Sequence, residues 1–291
     1  MKIGLIVESL RIPFAEGVAF AGANGISGIQ MHSRRRIWAP QTDPDLMSAS
    51  DDMIRYCLDC CEKNAVEISA ICGDGSPYSF QVASEVADRV ADLKRVVDQS
   101  AKMGVRVITT HIGHVPESQE DPVYPLMVKG VREAAEYAAA KKCVFAIETG
   151  PELADVLKTF IETVGSEGLG VNLDPANLRG VCCEDPVFAV KTLAPYIVHT
   201  HAKDAINTMT GSAAKFYRLR NPDGSDRQIA ARPAGFQEVP LGQGMVEWDA
   251  YLAELRAIGY DSFLTIEREC GENPAADILT AVGFLKQKLG A

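Results

Sequence analysis

Four short apolar runs in this sequence each end in a side chain that can bind a metal ion. The runs are CVFAIE, LGVNLD, IVHTH and FLTIE, and they end at Glu148, Asp174, His201 and Glu267. Continuous apolar runs of this length are typical of parallel strands that helices cover on both faces. If all four belong to one closed parallel barrel, their last residues point into the same mouth, where three carboxylates and one imidazole would form a divalent-metal site.

Strand-like and helix-like segments alternate along the whole chain of 291 residues. Strands are predicted at 2–8, 27–32, 66–72, 105–111, 143–148, 169–174, 197–202 and 262–267. Helices are predicted near 13–23, 44–64, 81–103, 124–141, 151–165, 185–193, 247–258 and 272–288. Eight such alternations predict an α/β fold, a single (β/α)8 TIM barrel domain over residues 1–291. A doubly wound sheet is the alternative, but the first turn, ESLRIPFAEG, lacks the glycine-rich phosphate loop that such a sheet normally carries.

The connection after the seventh strand is much longer than the others. Residues 204–243 far exceed the roughly two to six residues of an ordinary βα loop, and the turn signal NPDG within them predicts a small excursion or hairpin over the C-terminal face. Four arginines, Arg218, Arg220, Arg227 and Arg232, make the segment basic. A lid that binds anions and a surface decoration or oligomer contact both fit this pattern.

Composition excludes several classes of partner. A net charge of −10 argues against nucleic acid, because backbone binding needs clustered Lys and Arg. No apolar run approaches the roughly 20 residues of a membrane span, and the N-terminus enters a strand without the shape of a signal peptide, so no membrane partner and a cytoplasmic location are expected. Whether the chain forms a homo-oligomer is left open.

Eight cysteines do not indicate a disulfide framework in a chain of this size. Cys57, Cys60 and Cys61 lie on a predicted helix as a CxxC string with an adjacent third thiol. A zinc or redox site would need a partner pair or a strand-to-helix context, and neither is evident. We therefore predict buried helix thiols.

At the four ligand positions the sequence resembles the xylose isomerase-like barrel superfamily, and within it the sugar isomerase and epimerase branch. The matching strings, in the order of the family, are AIETGPE, VNLDPANL, VHTHAKD, VPLGQG and LTIERE, all within residues 143–269. The first hundred residues match only in pattern. The resemblance implies one divalent metal ion held by Glu148, Asp174, His201 and Glu267. It also implies that Glu148 and Glu267 act as acid and base on either face of the substrate.

Ligation mostly by carboxylates favours a hard or borderline ion, Mn²⁺ first, with Mg²⁺, Co²⁺ or Zn²⁺ as alternatives. Such an ion would polarise the carbonyl of a ketose or related sugar or polyol ketone and stabilise an enediolate, so that a carboxylate could remove the neighbouring carbon-bound proton. Return of a proton with inverted configuration is epimerisation. Return to the other carbon is aldose–ketose isomerisation, and the sequence does not choose between these outcomes.

Further residues are candidates for binding the substrate, with a structural role as an equally compatible interpretation. They are His111, Glu152, Asn177, Lys203 and Arg268. Glu8 on the first strand is another candidate for the mouth, and His199, two residues before His201, is expected deeper in the barrel.

Two departures bear on a related nuclease branch. The apurinic-site endonucleases of this superfamily bind three metals and place a histidine three residues after the strand-six aspartate, where this chain has Asn177. The third strand ends in Cys72 rather than histidine. A three-metal nuclease is therefore disfavoured, in agreement with the acidic charge.

Two other functions remain alternatives. A metal-dependent dehydratase of the inosose or dehydroshikimate dehydratase type would use the same proton abstraction to expel a β-hydroxyl. A non-catalytic sugar-binding barrel would be indicated by loss of both glutamates, and both are present.

Overall fold

Eight parallel strands form a closed barrel in the part of the chain that the computed structural model describes, which is residues 1–212, 219–227 and 233–290. The barrel strands are β1 (Lys2–Ile6), β2 (Gly28–His32), β3 (Glu67–Cys72), β4 (Val107–Thr110), β5 (Val144–Glu148), β6 (Leu169–Leu173), β7 (Ile197–Ala202) and β10 (Phe263–Ile266). The numbers β8 (Asp204–Ser212) and β9 (Pro233–Val239) belong to a separate two-stranded antiparallel sheet between β7 and β10. The predicted (β/α)8 TIM barrel of the α/β class is confirmed.

Helices follow the strands and cover the outside of the barrel. They are α1 (Phe14–Ala23), α2 (Asp51–Lys63), α3 (Val86–Lys102), α4 (Val123–Ala140), α5 (Ala154–Val164), α6 (Pro175–Asn177), α7 (Pro186–Leu193), α8 (Trp248–Ala257) and α9 (Pro274–Leu289). A short 3₁₀ turn, Val7–Leu10, follows β1, and a π-helical turn, Leu178–Cys182, follows α6. Within the described ranges no helix is both long and apolar enough to cross a membrane.

Two helices begin later than the sequence predicts. The hydroxyl of Ser50 accepts the backbone N–H of Met53, so this cap starts α2 at Asp51 rather than near residue 44. Before α3, the carboxylate of Glu85 accepts the backbone N–H of Ser79, which keeps the preceding segment in a loop on the mouth of the barrel.

The barrel interior beneath the mouth is polar and fully buried. Gln30, Thr109, Asn172 and Thr265 each have 0% of their surface exposed. The Gln30 amide donates to the Thr109 hydroxyl at 3.2 Å, and the Asn172 amide reaches the residue that ends β5. Buried polar groups fix orientation when they bond to one another, so this layer is a rigid floor for the residues above it.

The antiparallel sheet is anchored at its base by a buried carboxylate. Asp204 is 1% exposed and accepts the indole N–H of Trp248 at 2.9 Å, with backbone N–H groups of Gly242 and Val246 at 3.0 and 3.2 Å. At Gly244 a Cβ atom would stand 2.0 Å from Asp204 Oδ1, so the loop can close on this carboxylate only with glycine at that position.

The far end of the same excursion reaches across the mouth. The NPDG turn lies within residues 219–227, where the carbonyl of Pro222 accepts the backbone N–H of Ala83 at 2.9 Å. The Arg227 guanidinium forms an ion pair with Asp121, just before α4. A hairpin-like excursion is thus observed in the described part of 204–243, while Arg218 and Arg232 lie outside the described residues.

The cysteines of α2 are free thiols. Cys57 and Cys61 are buried, as predicted, and Cys60 is half-buried. Burial raises the pKa of Cys57 and of Cys61 to about 12, as expected for inert thiols in a helix–barrel interface.

Candidate metal centre

Four side chains converge where β5, β6, β7 and β10 end, and they are the four predicted ligands. One ligand atom from each of Glu148, Asp174, His201 and Glu267 lies within 4.8 Å of the others. His201 Nδ1 is central: it lies 3.4 Å from Glu148 Oε1, 3.5 Å from Asp174 Oδ2 and 3.1 Å from Glu267 Oε2. The geometry brings together three anionic oxygens and one ring nitrogen from four neighbouring strands.

Among the described residues, two buried atoms at the centre have no hydrogen-bond partner, namely Asp174 Oδ2 and His201 Nδ1. Buried polar atoms are nearly always paired, and these two, 3.5 Å apart, are placed so that both could bind one cation. The other oxygen of Asp174 accepts the backbone N–H groups of Ala176 and Asn177 at 2.7 and 2.9 Å, which fixes the carboxylate. This donor set fits a divalent cation.

The other ring nitrogen of His201, Nε2, contacts a residue in the buried polar layer below the cluster. His201 Nε2 lies 3.2 Å from Gln30 Oε1, and a proton placed on Nε2 can be donated to that oxygen. With a cation bound, Nδ1 would offer its lone pair to that ion, as a metal-binding histidine does. Burial alone would lower the pKa of His201, but the charges of Glu148 and Glu267 raise this pKa well above its ordinary value. The same charges would attract a cation to this position.

A second histidine lies one layer deeper on the same face of β7. His199 is 1% exposed, and its Nε2 lies 2.9 Å from the hydroxyl of Thr265. Burial lowers the pKa of His199 to about 3, so the ring is neutral. It packs edge-to-face against His201, with ring centroids 6.0 Å apart, and supports the His201 ring from the deeper layer.

Amide groups surround the carboxylate of Glu148. The Asn172 amide lies 3.2 Å from Oε2, and the Asn177 amide lies 3.4 Å from Oε1. The Asn177 amide also donates to the carbonyl of Thr149 at 3.1 Å, which fixes its orientation. Asn177, a predicted substrate-binding residue, therefore contacts one of the four cluster residues directly.

A lysine, by contrast, neutralises Glu267. Lys203 is 3% exposed, and its ammonium lies 2.9 Å from Glu267 Oε2 and 2.5 Å from Glu269 Oε2. Burial alone would lower the pKa of Lys203, but the charges of Glu267 and Glu269 raise it well above the ordinary value. Lys203, which was predicted to bind the substrate, thus contributes a buried positive charge to the lining of the cavity.

The predicted residue His111 lies beside Glu148, with Nε2 3.6 Å from Oε1. Its other nitrogen is 2.8 Å from Asp74 Oδ2, and its backbone N–H donates to Asp74 Oδ1 at 2.8 Å. Although burial acts in the opposite direction, the charge of His111 holds the pKa of Asp74 below its ordinary value. Sequence reasoning missed Asp74, whose signal is its place just past the end of β3 in ICGDG.

The remaining two predicted residues are held in other contacts. Arg268 lines the cavity, but its guanidinium pairs with Glu238 at 2.5 Å and with Asp277 at 2.8 Å. Glu152 is 4% exposed and is not among the described residues that line the cavity. Its burial raises the pKa of this carboxyl group to about 8.

A cavity of about 810 Å³ opens over the cluster at the C-terminal face. Polar groups from the strands on the opposite side of the barrel share it: Glu8 and His32 after β1 and at the end of β2, and Cys72 at the end of β3. Trp38 and Tyr78 stand at its outer part with 42% and 41% of their surface exposed. Its volume lies in the range of small-molecule sites, about 300–1,000 Å³.

Comparison with known proteins gives one family match and several structural neighbours. The family model described as xylose isomerase-like TIM barrel matches residues 18–288. A xylose isomerase domain protein from Planctomyces limnophilus is 26% identical with a TM-score of 0.74, over 99% of this chain and 98% of that one. The probable 3-DHS dehydratase AsbF from Bacillus anthracis is 23% identical with a TM-score of 0.71, over 98% and 99% of the two chains.

A third solved structure, D-psicose 3-epimerase in the presence of D-fructose, is 17% identical with a TM-score of 0.70, over 100% of both chains. At these identities the dehydratase and the epimerase show the shared fold. No curated protein sequence matches this chain.

Proposed function

Because the chain belongs to the xylose isomerase-like TIM barrel family, we propose that it is a divalent-metal-dependent isomerase or epimerase of a ketose or a related polyol ketone. The observation that carries the proposal is the convergence of Glu148, Asp174, His201 and Glu267 on one point of the cavity floor. The unpaired, buried atoms of Asp174 and His201 at that point support a resident cation.

These four residues would hold the ion, with Mn²⁺ proposed first. When bound, a divalent cation supplies positive charge that stabilises negative charge on the oxygens of the substrate. Side chains of this protein would carry out the proton transfers and bind the substrate.

Glu148 and Glu267 are the proposed acid–base pair. One glutamate removes the proton from the carbon beside the carbonyl, and the other returns a proton to that carbon from the opposite face or to the neighbouring carbon. Their surroundings support separate tasks, because amides orient Glu148 whereas the Lys203 ammonium holds Glu267. Each carboxylate is thus fixed before the substrate arrives.

Binding of the substrate is proposed for the polar groups around this pair. His111, Asn177 and Lys203 line the cavity beside the two glutamates and offer donors to hydroxyl or carbonyl oxygens. For Arg268 and Glu152 the contacts above favour support of the cavity wall over direct binding.

The experiment is a solvent-exchange screen. The Mn²⁺-loaded protein is incubated in D₂O with a panel of ketoses, polyol ketones and their phosphates, and the products are followed by NMR. Deuterium on the carbon beside the carbonyl, together with an epimer or aldose, is the expected result. An unsaturated or deoxygenated product would instead identify a dehydratase, and binding without any deuterium uptake would identify a sugar-binding barrel.

A further inference from the structure

The cavity wall opposite the cluster carries a second polar array on β1 and β2. Gln30 and His32 are two residues apart on β2, so their side chains point to the same side of the strand. Gln30 Oε1 lies 3.2 Å from His201 Nε2, which shows that this side faces the barrel axis below the cluster. His32 is therefore the next inward residue toward the mouth, and it lines the same cavity as Glu148, His201 and Glu267.

A carboxylate lies beside the His32 imidazole and accepts a hydrogen bond from its backbone. Glu8 Oε1 accepts the backbone N–H of His32 at 2.9 Å, and Glu8 Oε2 lies 3.1 Å from His32 Nδ1. The side chains of His32 and Glu8 are 16% and 18% exposed, so the pair is half-sheltered and open toward the cavity. A carboxylate at ion-pair distance from one ring nitrogen favours the protonated imidazole, as in many acid–base sites.

The neighbours of His32 favour its protonated form. Glu8 on the β1 side and Cys72, its register partner on β3, are the titratable groups against the ring. Burial alone would lower the pKa of His32, but its contacts with Cys72 and Glu8 raise it well above the ordinary value. Glu8, for its part, has a pKa lowered by His32 in spite of its burial. At neutral pH such an imidazole carries the proton that a general acid donates.

We propose that His32 is a third proton-transfer residue of this site, which acts on an oxygen of the substrate, and that Glu8 is its positioning residue. The inference rests on the proposed function. The two glutamates exchange protons with a carbon of the substrate, and His32 would exchange a proton with an oxygen.

The step balances without any further reagent. As one glutamate takes the carbon-bound proton, the C–H electron pair forms the C=C bond and the carbonyl pair moves onto oxygen, which receives the proton of His32. When the carbonyl re-forms, the hydroxyl proton returns to His32, and the C=C pair takes a proton from a glutamate at carbon. In epimerisation His32 and the substrate oxygen thus end each cycle as they began. In isomerisation the former carbonyl oxygen keeps the proton, and the neighbouring hydroxyl returns its own proton to His32. In both reactions the two glutamates exchange protons with solvent.

The test uses the metal-loaded protein with H32Q, E8Q and, as a matched control for the second, E16Q on the exposed face of α1. Turnover of the best substrate of the panel should fall at least ~10²-fold in H32Q, with about one metal ion per chain retained. In E8Q the limb of the kcat–pH profile that reports His32 should move to lower pH, because the carboxylate that raises the pKa is gone. E16Q should match the wild type. Wild-type turnover in H32Q, or an unshifted profile in E8Q, overturns the proposal.

A second readout separates this proposal from the proposed function. The imidazole signals of the Mg²⁺-loaded protein, assigned with H32Q, are followed by NMR during titration with glycolohydroxamate, which mimics an enediolate. A shifted His32 signal and at least ~10-fold weaker binding by H32Q are expected, since a charge-assisted hydrogen bond is lost. If the wild type exchanges no proton of any carbonyl substrate, the proposed function fails, and an unshifted His32 signal then rejects this proposal independently.

Discussion

The ammonium of Lys203 lies 2.9 Å from Glu267 Oε2 inside the protein, whereas the Glu148 carboxylate faces the amides of Asn172 and Asn177. The two proposed acid–base residues therefore differ in what their removal leaves behind. Loss of Glu267 leaves the buried Lys203 ion-paired with the exposed Glu269. Loss of Glu148 leaves two amides and two histidines, of which His111 keeps its contact with Asp74 and His201 keeps its contacts with Asp174 and Glu267.

The first prediction separates catalysis from stability. E148Q and E267Q should each lower turnover at least ~10²-fold, because each removes a base and one charge from the cluster. In the metal-free proteins E267Q should lower the Tm more than E148Q, since the buried Lys203 loses one of its two ion-pair partners, whereas each histidine beside Glu148 keeps another carboxylate. Thermal melts with E167Q, on an exposed turn, as control measure this difference. Wild-type turnover in either variant would reassign the acid–base pair.

The second prediction concerns the metal. D174N keeps the shape of the side chain but removes the charge of the unpaired oxygen, so metal content should fall from about one ion per chain to well below that. Added Mn²⁺ should raise the Tm of the wild type by mass action and leave that of D174N nearly unchanged. Elemental analysis after dialysis and melts with and without Mn²⁺ provide the measurement. Undiminished metal content in D174N would place the ion elsewhere.

The third prediction concerns the excursion over the mouth. R227Q breaks the ion pair with Asp121, and deletion of residues 212–232 removes the outer part of the excursion, which we propose to cover the mouth. Both proteins should remain folded and bind metal, with a raised KM, and the deletion should have the larger effect. R95Q, on the exposed face of α3, is the matched arginine control. An unchanged KM and kcat in both would favour a decoration or an oligomer contact.

The fourth prediction concerns substrate charge. Arg220 lines the cavity, but its guanidinium already bonds to the carbonyl of Gly224 at 2.9 Å and to Asp226 at 3.0 Å. We therefore expect R220Q to change the KM of a sugar and of its phosphate by the same factor. A much larger loss for the phosphate would identify Arg220 as a phosphate-binding residue.

The fifth prediction is a pH dependence of stability that originates from Glu152. Its pKa in the folded protein, about 8, lies above the ordinary value of 4.5, so the folded state holds a proton that the unfolded state releases. The stability from this group is complete below pH 4.5 and is lost as the pH rises toward 8, by about 1.4 kcal/mol per pH unit. E152Q should flatten this part of the profile of unfolding free energy against pH. An identical slope in E152Q would assign the dependence to other groups.

The strands and the four cluster residues could be predicted because both depend on local sequence. An apolar run marks a buried strand, and the residue that ends it faces the mouth, so Val144–Glu148 is found within one residue of the predicted 143–148. The starts of α2 and α3 were harder to predict from the sequence, since they depend on single hydrogen bonds made by Ser50 and Glu85.

The residues that orient the site could not be identified from local sequence patterns. Gln30 supports a histidine 171 positions away, and Asp74 holds one 37 positions away. In the local sequence neither Gln30, on β2, nor Asp74, just after β3, differs from an ordinary polar residue. Only closure of the barrel brings these pairs together, so their roles follow from topology rather than from spacing.

The proposed metal ligands all come from the half of the ring that runs from β5 through β6 and β7 to β10, whereas Glu8, His32, Asp74 and the outer aromatic residues belong to the loops and strand ends of the other half. One half of the ring thus supplies the proposed ligands, and the other half supplies the proposed proton donor together with two exposed aromatic side chains, Trp38 and Tyr78. Substitutions confined to these two aromatic residues are expected to alter which molecule is accepted and to leave the proposed ligands in place. A library at these two positions is therefore a direct route to new substrate preferences on this scaffold.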